Sequence, residues 1–167
     1  MRASVLVLAA LLLGCPPAPD PEEFACTFGF SDGDGFVELG DDPRGELVLG
    51  FQGFLFVTAR LKTSEAVTGE FEVLTSVEPE GGETFGGVQP RVTWSDDGVS
   101  DEVLLFFDDG NVAAFVGRSA TLALRARNDE LFCVASAEVV LVDDDPCIHT
   151  DAEPICPEGD DDDSAGE

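Results

Sequence analysis

The segment Thr121-Leu122-Ala123-Leu124-Arg125-Ala126-Arg127 alternates residue by residue, with Leu122, Leu124 and Ala126 on one side and Thr121, Ala123, Arg125 and Arg127 on the other. Successive side chains of a strand point to opposite faces, so a period of two marks a strand with one buried face. Asn128-Asp129-Glu130 supplies turn-forming residues, and residues 132–142 return as the hairpin partner. The same texture runs outward from this hairpin: short apolar runs separated by Gly, Asp and Pro, with no helical stripe. Strands are expected at 25–30, 36–39, 46–49, 54–61, 70–76, 91–94, 103–107, 112–116, 121–127 and 132–142. Ser31-Asp32-Gly33-Asp34-Gly35 and Asp108-Asp109-Gly110-Asn111 read as tight turns between them.

Regular short strands with turn signals between them predict an all-β domain, specifically an immunoglobulin-like sandwich of antiparallel strands. Thirteen Phe residues and the single Trp94 are expected to fill the space between its sheets. Phe54 and Phe56 share one face of a strand and are expected in that core, with Phe51 in the preceding turn. A carbohydrate- or peptide-binding role would instead require both rings on the surface.

At the N-terminus, Met1-Arg2 precedes an apolar run from Ala3 to Leu13, and Leu12-Leu13-Gly14-Cys15 leads into Pro16-Pro17-Ala18-Pro19-Asp20-Pro21. A positive start, a short apolar centre and a small residue before the cut are the parts of a secretory signal. The run is too short for a membrane-spanning helix, which needs about 20 residues. Cys15 directly after Gly14 resembles the bacterial lipoprotein signal. The resemblance implies cleavage between them, a diacylglycerol on Cys15 and usually an added acyl chain. Two or more chains anchor stably, each contributing about 0.8 kcal/mol per buried CH₂. Pro16 is not the aspartate associated with inner-membrane retention, so the implied location is the outer membrane, on its periplasmic or outer face.

These features divide the chain into a signal peptide (1–14), a lipidated Cys15 with a Pro-rich tether (15–23), a β domain (24–145), a Cys/Pro-rich loop (146–158) and an acidic tail (159–167). The tail lacks apolar residues to bury and is expected to be disordered. An extended tether at ~3.1 Å per residue would lift the domain about 20–25 Å from the membrane.

The 167 residues include 35 acids against 8 Lys and Arg, for a formal net charge of −27. Such a chain is repelled by nucleic acid and anionic lipid, leaving the lipid on Cys15 as its membrane attachment. An acidic surface also attracts divalent cations or basic partners, although in itself it serves solubility. Beyond Cys15 stand Cys26, Cys133, Cys147 and Cys156, an even set that reads as two disulfides with three possible connectivities in an exported domain. Cys147 and Cys156 close a short loop easily, which would leave Cys26 with Cys133. Zinc binding by Cys147, His149 and Cys156 is disfavoured by ligand spacing.

Phe36-Val37-Glu38-Leu39 and Gly45-Glu46-Leu47-Val48-Leu49-Gly50-Phe51-Gln52-Gly53-Phe54-Leu55-Phe56-Val57 carry a further resemblance. The segment is similar to lipoproteins of myxobacteria and relatives with the pattern F-x-x-L … G-x-Q-G-G-x-H before a long strand. Gly50, Gln52 and Gly53 match, whereas Phe54 replaces the second glycine and Phe56 stands where histidine is common. Leu122-Ala123-Leu124 and Asp129 also resemble the immunoglobulin-like ending of those proteins. The resemblance implies no activity, and any role of that histidine does not transfer.

No catalytic constellation emerges. His149 lies outside the strand-rich region, and Gly117-Arg118-Ser119-Ala120-Thr121 lacks the second glycine of a nucleophile elbow. Asp96-Asp97, Asp101-Glu102 and Asp108-Asp109 would suit glycoside hydrolysis only if two carboxylates met across a cleft. Calcium is the more specific expectation, with Asp32 and Asp34 as ligands and Asp41-Asp42 or Asp143-Asp144-Asp145 completing the oxygens. The loop is not an EF-hand, because Phe36 and Val37 replace a ligand and the turn glycine, and Pro43 the final glutamate. The sequence therefore reads as a lipid-anchored, non-catalytic binding or envelope-associated module. A small secreted enzyme and a calcium-binding structural protein are the alternatives.

Overall fold

The computed structural model describes residues 20–33, 35–50, 53–107 and 111–143, and these form an all-β unit without an α-helix. Its strands are β1 (Glu22–Glu23), β2 (Thr27–Asp32), β3 (Gly35–Glu38), β4 (Arg44–Leu49), β5 (Leu55–Lys62), β6 (Phe71–Pro79), β7 (Phe85–Val92), β8 (Val103–Phe107), β9 (Ser119–Arg127) and β10 (Leu131–Asp143). The terminal hairpin forms as its alternation predicts. Phe132 pairs with Arg127, and the antiparallel ladder runs to Val140 with Ser119. Asn128 Oδ1 accepts hydrogen bonds from the backbone N–H groups of Glu130 (2.9 Å) and Leu131 (2.7 Å), which fixes the turn. Leu122, Leu124, Ala126, Cys133 and Leu141 are fully buried, while Arg125, Arg127, Val134 and Ser136 face outward.

The sheet curls around this core. One half follows the order β10-β9-β6-β7, and the other is β3-β2-β5-β8. Strand β4 joins them, pairing parallel to β10 through Arg44 to Leu47 and antiparallel to β5 through Val48 and Leu49. On the opposite side β7 approaches β8. There the Gln89 side chain donates to the Glu102 carbonyl (2.7 Å), and the Leu104 N–H donates to Gln89 Oε1 (3.1 Å). A side-chain amide thus supplies the donor and acceptor that a strand backbone would otherwise present. Pro90 and Arg91 lie opposite Glu72 as a bulge in the β6–β7 ladder, with Arg91 at a φ of 62°. Proline has no N–H to give, so the bulge turns the strand there and the seam is carried by Gln89. Replacing Gln89 by leucine leaves both backbone groups without that partner, and a loss of about 1–3 kcal/mol in urea unfolding is expected.

Several expectations change. Residues 112–116 are not a strand: Val112–Ala114 is a 3₁₀ turn, because Val112 and Phe115, three residues apart, are both buried. The Phe115 ring packs on Phe107 (centroids 4.8 Å apart) and Phe85 (5.9 Å), closing one end of the curl. The strand expected at 91–94 lies earlier, in β7. The end of the expected tether belongs to the sheet, since Glu22 and Glu23 pair in parallel with Leu131 and Phe132. Cys26 and Cys133 form a disulfide with Cα atoms 6.1 Å apart. Cys15, Asp34, Cys147, His149 and Cys156, together with the signal, loop and tail segments, lie outside the described residues. No helix among the described residues is long and apolar enough to cross a membrane.

Candidate functional site

The candidate calcium turn is tied down from within the protein. Asp32 is exposed at the end of β2, and Arg60 on the neighbouring β5 reaches the turn. Its Nη2 donates to the Gly33 carbonyl (2.9 Å), its Nε to Ser31 Oγ (3.1 Å) and its Nη1 to the Ser100 carbonyl (2.9 Å). Ser31 Oγ in turn donates to Glu102 Oε2 at 2.6 Å. A fixed guanidinium therefore occupies a carbonyl of the turn and supplies positive charge there. Among the described residues, no group of three His, Cys, Asp or Glu side chains is placed to hold a metal ion.

The carboxylate pairs at 96–97 and 101–102 serve turns. Asp97 accepts from the Ser95 hydroxyl, which holds its carboxyl below the usual range. Asp101 Oδ2 accepts from both the N–H (2.7 Å) and the hydroxyl (2.8 Å) of Thr93, pinning the ends of the loop between β7 and β8. Glu102 is engaged by Ser31 as above. Asp97 and Asp101 act on their own loop and Glu102 on the end of β2, and the pair at 108–109 lies outside the described residues.

The surface feature with no evident structural duty is aromatic. In β5, Leu55, Val57, Ala59 and Leu61 point into the core, which forces the alternate residues outward. Phe56 is consequently half-buried on the outer face, and Phe54 just before the strand is 55% exposed, so neither ring joins the core as expected. Phe56 stands opposite Val48 of β4 and Phe106 of β8, making an apolar row across three strands. Phe106 is 42% exposed and touches both other rings edge-on, with centroids 5.8 Å from Phe56 and 6.3 Å from Phe54. Gly50 makes room for the row: a Cβ there would press on the Phe56 ring at 3.2 Å. Contiguous exposed aromatic surface has an unfavourable hydration free energy and marks a place of contact.

Phe106 escaped the sequence reading, although its signal is visible. In the run Val103-Leu104-Leu105-Phe106-Phe107, strand alternation can bury only one of two adjacent phenylalanines. Phe107 is the buried member, at 1% exposure. The seam residue Gln89 and the turn clamp Arg60 carried no comparable local signal, since their partners lie on other strands. No family model matches the chain, and no curated protein matches it.

Proposed function

We propose that this is an exported, lipid-anchored, non-catalytic binding module that engages its partner through the aromatic row of Phe54, Phe56 and Phe106. The carrying observation is the contiguous exposure of these rings on the outer sheet face. The disulfide between Cys26 and Cys133 supports an oxidising compartment, in agreement with the signal that precedes Cys15. A core shared by the two halves of the sheet supports an immunoglobulin-like sandwich, while the kinship to the myxobacterial lipoproteins rests on the sequence resemblance. The use of Asp97, Asp101 and Glu102 in turns supports a non-catalytic role. Attachment by lipid on Cys15 to the outer membrane completes the reading, and Cys147 with Cys156 is assigned as the second disulfide.

Two matched measurements test it in intact cells. The wild type is expected in the membrane fraction, and Cys15→Ser in the soluble one. A photo-crosslinking residue at position 106 is expected to give a discrete protein or glycan adduct. The same residue at position 88, where an isolated valine is 59% exposed, is expected to give none. Membrane retention of Cys15→Ser would remove the lipid anchor from the reading, and equal labelling at 88 and 106 would remove the aromatic site.

A further inference from the structure

We infer that the partner is a basic, extended protein segment, held by its apolar side chains on the aromatic row and by a lysine or arginine in the groove beside it. This inference rests on the aromatic row being the binding surface. The groove, of about 490 Å³, opens where β2 and β4 diverge from the same edge of β5. Thr58 and Glu46 line it, each two residues along its strand from the row members Phe56 and Val48. Residues two apart on a strand share a face, so Thr58 and Glu46 bring the rim of the groove onto the sheet face that carries the row. Two strand residues span about 6.6 Å, a separation that a few residues of an extended ligand would cover.

The groove has the chemistry of a lysine or arginine site. Phe30, Val37 and Leu39 give it an apolar lining for a methylene stem. Four carboxylates, Asp32, Glu38, Asp42 and Glu46, also line it, against Arg44 as the cation among the described lining residues. Arg44 is paired with Asp42 at 3.3 Å, Glu38 meets Lys62 at 3.7 Å, and Arg60 beside Asp32 is taken up by the Ser31 hydroxyl and the Gly33 and Ser100 carbonyls, so Glu46, with Asp32 at the rim, is the carboxylate offered to a ligand. The protein already holds one of its own cations this way: Lys62 lies 5.2 Å from the centre of the Phe36 ring while meeting Glu38. The alternative occupants fit poorly. A second copy would bring −27 against −27, and anionic glycan, nucleic acid or lipid meets the same repulsion.

The test uses the full-length chain in neutral detergent and three fluorescent seven-residue peptides, alternating leucine with lysine, serine or glutamate, read by anisotropy at physiological salt. The lysine peptide is expected to bind and the glutamate peptide not to bind. Asp32→Asn/Glu46→Gln and, separately, Phe106→Ser are each expected to weaken lysine-peptide binding by about 5–10-fold, as for loss of a central contact. Phe54→Ser serves in place of Phe106→Ser if the latter unfolds. Unchanged binding by the Asp32→Asn/Glu46→Gln variant would overturn the groove assignment. Equal, Phe106-dependent binding of the serine and lysine peptides would overturn the basic partner while leaving the aromatic surface standing. Binding insensitive to Phe106 and Phe54, or absent for all three peptides, would overturn both.

Discussion

The Cys26→Ala/Cys133→Ala variant is expected to lose about 2–5 kcal/mol of stability. The bond joins residues 107 positions apart, so breaking it restores the freedom of a very long loop to the unfolded chain. It also ties the segment between β1 and β2 to the start of β10, beside the short parallel pairing of Glu22 and Glu23 with that strand. Cys133 is fully buried, so its replacement removes packing as well as a cross-link. Urea unfolding of the oxidised protein, the reduced protein and the double variant separates the two contributions. Reduction alone should reproduce most of the loss, with the remainder due to packing. A reduced wild type that unfolds at the same urea midpoint as the oxidised one would show that the bond contributes nothing.

Phe71→Ala is the second large effect, at about 3–5 kcal/mol. The ring is 1% exposed and sits between Phe24 (centroids 6.0 Å apart) and Trp94 (4.7 Å), while Phe24 and Trp94 meet at 5.9 Å. Removing the central ring leaves a cavity that its two aromatic neighbours cannot both fill. Trp94 reports on the event directly, because it is the only tryptophan in the chain. Its Nε1 is buried without a hydrogen-bond partner among the described residues, and the indole is held by packing on Phe24 and Phe71. In Phe71→Ala the native-state emission should shift to the red as water reaches the indole. A native spectrum unchanged from wild type, with a stability loss below about 1 kcal/mol, would show that the neighbours had closed the space.

The strand pattern was legible wherever one face is buried and the other wet, as in β9 and β10. Leu122, Leu124 and Ala126 needed nothing but their spacing to be assigned inward. Legibility failed where both faces are apolar. Phe54 and Phe56 on one side of β5, with Leu55 and Val57 on the other, give two equally greasy faces, and only the sheet's curvature selects the inner one. It failed again at residues 112–116, where a five-residue apolar run fits a strand as well as a 3₁₀ turn. The turn at Asp32 was placed correctly, but its arginine clamp arises from a pairing of β2 with β5 that no local pattern announces. The candidate site depends on the same missing information, since its rings and groove are assembled from β2, β3, β4, β5 and β8.

The place of β10 in the sheet has a consequence for the order in which the molecule can form. This last strand pairs with β1 and β4 near the beginning of the described chain, as well as with its hairpin partner β9. Those early strands therefore have no lasting neighbour on that edge until the final stretch has arrived. Contacts between such distant parts of a chain must meet the entropy of closing a long loop before they return any stability, which makes β proteins of this kind slow to fold. A chain still being synthesised would remain open along that edge of β4 until β10 had emerged. Closure of the β4 edge is thereby coupled to the arrival of β10.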